Sequence, residues 1–264
     1  MTGIAALPMY DFPEIRPATD NLWRGIRSGL QRLGMEAEEQ LNRRLDPAEI
    51  WSSPDLALAQ TCGFPYVHSL RSRVTLVGTP DYGILPDQPG WYNSVIVARK
   101  SDTRQRLGEF AGATFAYNGA DSQSGLYAIM FELQAAFGNA RFFGSCLRSG
   151  AHALSAKAVI EGGADIASID AVSWRYLLRF QPGASHLKVV ATTSPCPGLP
   201  YISSSKEAAL PLASAVEAAL EALPLADKTD LGLKGFWRSR PEDYCIIKER
   251  AILSAKVVAA HIGH

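Results

Sequence analysis

Residues 114–137 read TFAYNGADSQSGLYAIMFELQAAF, and this stretch predicts a strand, a polar turn and a helix in succession. The apolar run 114–117 is typical of a buried strand, whereas 122–137 has the length and spacing of a helix. Strands alternate with helices in the same way along the rest of the chain, from an apolar run at 3–9 to another at 187–192. This alternation predicts an α/β fold with mostly parallel sheets flanked by helices.

The same alternation of strands and helices predicts the domain organisation. The chain has 264 residues, and its middle section could close a sheet of its own. We therefore predict a first, discontinuous lobe formed by residues 1–93 and 192–264, and a second, inserted lobe formed by residues 94–191. Two crossings of the chain, near Asn93 and near Ala191, would form a two-strand hinge. Lobes of about 100–150 residues are large enough to bury a core without disulfides or metals.

The bulk composition argues against several classes of partner. Lysine plus arginine and aspartate plus glutamate both number 26, so the formal net charge is zero. Without a basic stripe, nucleic-acid binding and a polybasic membrane-surface mode are disfavoured. The four cysteines are far apart and form no CxxC pair, so we predict neither a metal nor another cofactor.

Targeting signals are missing from the printed chain. No stretch approaches the ~18 apolar residues of a membrane helix, and the first residues lack a basic region followed by an apolar one. We therefore predict a cytoplasmic protein without membrane insertion, or a periplasmic one if a signal peptide has been removed.

The polar turn after residue 117 is the most informative candidate site. In open α/β sheets, ligands bind beyond the carboxyl ends of the strands, where helices begin. Asn118, Ser122, Gln123 and Ser124 offer amides, hydroxyls and backbone N–H groups at such a helix start, which suits an anion. The same residues could equally be a helix cap and an Asn-Gly turn.

Other strand ends add further candidates for ligand binding. Ser149 and His152 lie at a second junction, although a lone histidine is often structural. The remaining candidates follow other predicted strands: Met9, Tyr10, Gln60, Thr61, Cys62 and Asp170. Tyr10 could be a packing residue instead, Asp170 could cap the next helix, and Cys62 has no assignable base to make it a nucleophile.

Four short motifs together resemble a known family. They are Leu7-Pro-Met-Tyr10, Gln60-Thr-Cys-Gly63, Asn118-Gly with Ser122-Gln-Ser-Gly125, and Ser149-Gly-Ala-His152. They resemble the phosphonate-binding (PhnD-like) family of type 2 periplasmic binding proteins, over roughly residues 3–201. The resemblance implies a two-lobed Venus-flytrap fold in which Ser122, Gln123 and Ser124 hold an oxyanion. It also implies ligand contacts from Tyr10 and Asp170.

We therefore predict a protein that binds a small oxyanion-bearing solute, phosphate- or phosphonate-like, in the cleft between its lobes. It would act as an ABC-transporter-type substrate-binding protein, with a permease as partner, or as a cytosolic sensor. The alternative is a cytosolic enzyme on the same fold, resembling menaquinone-pathway or thiamine-pyrimidine enzymes. Its acid or base would come from His68, His152 or Asp170. Because no strong catalytic motif is present, the sequence favours binding, and we assign no catalytic residue.

Overall fold

The structure, a computed structural model, describes residues 2–138, 141–205 and 209–263. Its strands are β1 (Ile4–Ala6), β2 (Leu56–Gln60), β3 (Thr75–Asp81), β4 (Trp91–Tyr92), β5 (Ser94–Arg99), β6 (Thr114–Tyr117), β7 (Ser145–Arg148), β8 (Ile166–Asp170), β9 (Leu187–Thr192), β10 (Cys196–Pro197), β11 (Tyr201–Ser203) and β12 (Gly235–Trp237). Its helices are α1 (Arg16–Arg32), α2 (Pro47–Trp51), α3 (Gly63–Pro65), α4 (Ala128–Phe137), α5 (His152–Ile160), α6 (Ala171–Phe180), α7 (Ala209–Ala222), α8 (Leu225–Asp230) and α9 (Cys245–Ile262). The described residues also include two five-residue π-turns. Tyr66–Leu70 directly follows α3, and Gln123–Tyr127 directly precedes α4.

The chain divides into two compact units. The first contains Met1–Trp91 and Pro197–Cys245, and the second contains Tyr92–Cys196 and Ile246–His264. The chain passes from one unit to the other within β4 and β10, two short strands that pair with each other. It passes again at the start of α9.

The first unit is built on a five-stranded sheet in the order β1-β2-β11-β3-β12. Helix α1 has one buried face, because Leu22, Ile26 and Leu30 recur at helical spacing, and it also packs against α7. Gly29 allows the close approach, since a Cβ at this position would lie 2.7 Å from the Cβ of Ala215. The backbones of the two helices therefore come closer than larger residues would permit.

The second unit is built on a sheet in the order β7-β6-β8-β5-β9. Strand β6 pairs in parallel with both β7 and β8, so the carboxyl ends of these three strands meet at one edge. The aromatic centre of its core is Phe115 stacked on Phe143, with ring centroids 4.7 Å apart. Leu126 and Ile129, from the segment that follows β6, pack into the same cluster.

The pairing within both sheets is mixed rather than mostly parallel. In the first unit β11 is antiparallel to its neighbours β2 and β3, and in the second β5 is antiparallel to β8 and β9. The reason is the chain path: β5, β9 and β11 lie next to the points where the chain leaves or enters a unit. They therefore do not belong to right-handed strand–helix–strand repeats, the connection that produces parallel pairs.

The C-terminal helix belongs to the second unit, although the sequence prediction placed residues 192–264 in the first. From Ile246 onward the chain packs with the second unit, where Val257 is fully buried in the core. His261 Nε2 accepts hydrogen bonds from the backbone N–H groups of Phe142 and Phe143, both at 3.0 Å. Burial lowers the pKa of His261 despite the hydrogen bond of its ring with Val257 O, and this favours the neutral ring that a nitrogen accepting two hydrogen bonds requires. No helix in the described ranges is both long enough and apolar enough to cross a membrane.

Candidate functional site

The polar turn after β6 forms the N-terminal end of a long helical segment, the π-turn Gln123–Tyr127 continued by α4. Ser122 caps this end, since its Oγ accepts from Gly125 N at 2.9 Å and its carbonyl accepts from Leu126 N and Tyr127 N. Within the described residues, the N–H groups of Gln123 and Ser124 make no hydrogen bond. Two donors at the positive end of a helix are therefore unpaired, as in an anion site.

Ser124 and His152 form a hydrogen-bonded pair beside these donors. Ser124 Oγ lies 2.9 Å from His152 Nε2, and Ser124 is 3% exposed. Burial lowers the pKa of His152 to about 4, an effect that a backbone contact with Ser168 only partly offsets. His152 Nδ1 is buried and reaches hydrogen-bond geometry with none of the described residues. The imidazole is therefore neutral at pH 7.

The parallel strands explain why distant candidates meet here. Because Tyr117 is in register with Arg148, the loops after β6 and β7 are adjacent, and Gly150 N donates to Asn118 O at 3.0 Å. The Ser149 hydroxyl is engaged within the protein, 2.6 Å from Ser155 Oγ. The structure thus brings together the turn residues and the Ser149–His152 junction.

Asp170 acts as a helix cap in the structure. Its Oδ1 accepts from Val172 N at 2.8 Å and from Ser173 N at 2.9 Å at the start of α6. The carboxylate is almost fully buried. This is the alternative to ligand binding that the sequence left open for Asp170, and its role as a ligand contact stays a prediction.

The first-unit candidates lie at the carboxyl edge shared by β1 and β2, which pair in parallel. Tyr10 packs edge-on against Tyr82, with ring centroids 4.9 Å apart. The buried Gln60 side chain donates to Leu199 O at 3.2 Å, and the Thr61 N–H donates to Pro200 O at 3.0 Å. These residues have structural partners; like Met9 and Cys62, they stay predicted ligand contacts.

Sequence reasoning missed two serines of this site, Ser94 on β5 and Ser168 on β8. Both hydroxyls donate to the Ser124 carbonyl, at 2.9 Å and 2.6 Å respectively. The sequence signal that could have identified them is a serine at a buried position of a strongly apolar strand, because a buried hydroxyl without a hydrogen-bond partner is costly.

The part of the chain that the structure describes offers no cluster of side chains for a metal ion. Across residues 2–138, 141–205 and 209–263, no three His, Cys, Asp or Glu side chains are grouped to hold an ion.

Comparison with known proteins supports the fold. A family model described as "ABC transporter, phosphonate, periplasmic substrate-binding protein" matches residues 55–244. Among solved structures, PhnD1 from Prochlorococcus marinus in complex with methylphosphonate has a TM-score of 0.74 at 16% identity, covering 97% of this chain and 98% of that one. XAC2383 from Xanthomonas citri bound to ATP has a TM-score of 0.72 at 16% identity, covering 99% of both chains.

A binding protein component of an ABC phosphonate transporter from Pseudomonas aeruginosa has a TM-score of 0.70 at 17% identity, covering 98% of this chain and 88% of that one. No curated protein matches the chain. At such low sequence identity, these structural matches show the fold alone. They confirm the predicted α/β fold of a periplasmic binding protein. The family model covers more than two thirds of the chain.

Proposed function

The chain belongs to the family of periplasmic substrate-binding proteins of phosphonate ABC transporters, and from this premise we propose that its second unit holds a solute's oxyanion at the start of the turn Gln123–Tyr127. The observation that carries the proposal is the pair of unpaired N–H groups of Gln123 and Ser124. They lie at the positive end of a helix, where two N–H donors and the helix dipole together favour an anion.

The chemistry of the donors indicates the kind of ligand. The backbone N–H groups, the Ser124 hydroxyl and the neutral His152 ring are uncharged hydrogen-bonding groups. Such a set suits the tetrahedral oxygens of a phosphonate, phosphate or sulfonate, each of which accepts several hydrogen bonds. In this proposal Asn118, Ser122 and Ser149 shape the surrounding loops.

The Ser124–His152 pair also has the spacing of a nucleophile and its base, which bears on the enzyme alternative. A histidine whose pKa is about 4 is a weak base at neutral pH. Binding is therefore the function that these residues support better, with the pair acting as a ligand donor.

The partner and the place of action are part of the same proposal. Substrate-binding proteins of this family deliver small ligands to the permease of an ABC transporter, and the family description places them in the periplasm. We infer the same partner and compartment here. Fractionation of cells expressing the natural gene tests the compartment, and recovery in the cytoplasm alone would favour the sensor that the sequence also allowed.

Calorimetric titration with methylphosphonate, phosphate, an alkylsulfonate, malate and ATP tests the function. We expect binding of a phosphorus or sulfur oxyanion, with about 2.7 kcal/mol of added stability at a hundred times its Kd. Ser124→Ala should weaken that binding by about tenfold, because one hydrogen bond to a charged ligand is lost.

Ser254→Ala is the matched control, since Ser254 is a fully buried serine of the same unit that donates to Arg250 O at 2.8 Å. It should bind as the wild type does. Wild-type affinity in Ser124→Ala, or binding of none of the five compounds, would contradict the proposal. A turnover assay with the bound compound would expose an enzyme.

A further inference from the structure

We propose that Ser94 and Ser168 are positioning residues, which shape the oxyanion-binding turn by drawing the Ser124 carbonyl out of the helical hydrogen-bond ladder. This inference rests on the proposed function, because it explains how the donors of that site are presented. Neither serine needs to contact the ligand.

The two serines approach Ser124 from neighbouring strands. In the antiparallel pair β5–β8, Ser94 lies opposite Asp170 and Ser168 lies opposite Ile96. Side chains at these positions point to the same face of the sheet. Ser94 and Ser168 are 1% and 0% exposed, and their hydroxyls converge on one carbonyl oxygen at 2.9 Å and 2.6 Å. Both lone pairs of that oxygen are thereby used.

The consequence is a change in the helical register. In an α-helix the Ser124 carbonyl would accept from the N–H of Ala128. Here Ala128 N donates to Gln123 O instead, which is the wider spacing of a π-turn. A π-turn is less favourable than an α-turn and often marks a functional site. The two serines offset that cost by giving the diverted carbonyl other donors.

The diverted peptide is held from both sides. Its carbonyl is fixed by Ser94 and Ser168, and its N–H, on Gly125, donates to Ser122 Oγ at 2.9 Å. With the Ser124–Gly125 peptide fixed in this way, Ser124 Oγ reaches His152 Nε2 at 2.9 Å. If the turn relaxed to an α-helix, the Ser124 side chain would rotate about the helix axis and leave His152.

The test is a double-mutant cycle of Ser94→Ala and Ser168→Ala, with methylphosphonate as the probe. Each single variant leaves one hydroxyl on the carbonyl, so we expect binding only about two- to threefold weaker. The double variant leaves none, and we expect binding about thirtyfold weaker, more than the product of the single effects. Ser254→Ala, which removes a buried hydroxyl elsewhere in the unit, should have no effect on affinity.

A second measurement reports on the turn without any ligand. The pKa of His152, followed by NMR, should rise from about 4 in the double variant, because a turn that moves Ser124 away from the ring relieves the burial that lowers this pKa. A purely structural loss of two hydroxyls would lower stability and leave this titration where it is. If the double variant does not fold, the single variant Ser168→Ala is measured in its place. A methylphosphonate affinity and a His152 titration that are both unchanged in this variant would overturn the inference.

These outcomes separate the inference from the function it rests on. If the wild type binds no oxyanion, the proposed function fails, whereas the His152 titration still reports whether the serines hold the turn. If the wild type binds methylphosphonate and the double variant binds it equally well, the positioning role fails and the function stands.

Discussion

Acidification from pH 6.5 to pH 4 is expected to lower the free energy of unfolding by up to about 3 kcal/mol through His152 alone. Burial lowers the pKa of this ring to about 4 in the folded chain, against 6.5 in the unfolded one. Below pH 6.5 the unfolded state therefore binds a proton that the folded state does not. The contribution of His152 is fully present above pH 6.5 and falls as the pH drops towards 4.

Urea unfolding at a series of pH values measures this effect in wild type and in His152→Asn. The asparagine variant cannot titrate, so the difference in stability between the two proteins should shrink as the pH falls through this window. Ser254→Ala, which removes a buried hydroxyl of the same unit and no titratable group, should leave the pH dependence of the wild type unchanged. The buried His261, whose pKa is also lowered, acts in the same direction and remains in both proteins. A constant difference between wild type and His152→Asn from pH 7 to pH 4 would contradict this account.

The helix start at Ser122–Ser124 could be read from the sequence because its signal is local. A serine cap, two further polar residues and a glycine come directly before an apolar helical run, and the structure shows that cap. Local spacing also accounts for α1, whose buried face is formed by Leu22, Ile26 and Leu30. In both cases the information lies within a few turns of the chain.

The remaining features depend on pairings across long stretches of sequence. The contact of Ser124 with His152 needs β6 and β7 in parallel register, and the two serines on its carbonyl come from positions 94 and 168. No local pattern encodes such a meeting. The tail was misplaced for the same reason: the short helical patterns near its end do not say which unit buries Val257.

Gly125→Ala is expected to damage both the stability of the second unit and its binding site. A Cβ on this residue would lie 1.7 Å from Asn118 Oδ1 and 3.0 Å from Ser122 Oγ, so the Asn118 amide must move. Overpacking of this kind costs about 1–3 kcal/mol, which the better helix propensity of alanine offsets by at most about 1 kcal/mol. Because the displaced groups flank the free N–H donors, we expect methylphosphonate affinity to fall by more than about tenfold.

Gly163→Ala is the matched control in the same unit, since its nearest neighbour would be Ala158 O at an ordinary 3.6 Å. The decisive comparison is Asn118→Ala combined with Gly125→Ala. Removing the amide makes room for the new methyl group, so adding Gly125→Ala to Asn118→Ala should cost at least about 1 kcal/mol less than adding it to the wild type. If the two substitutions are simply additive, the Asn118 side chain is not what requires a glycine at position 125. The close fit of amide and backbone would then have no part in shaping the turn.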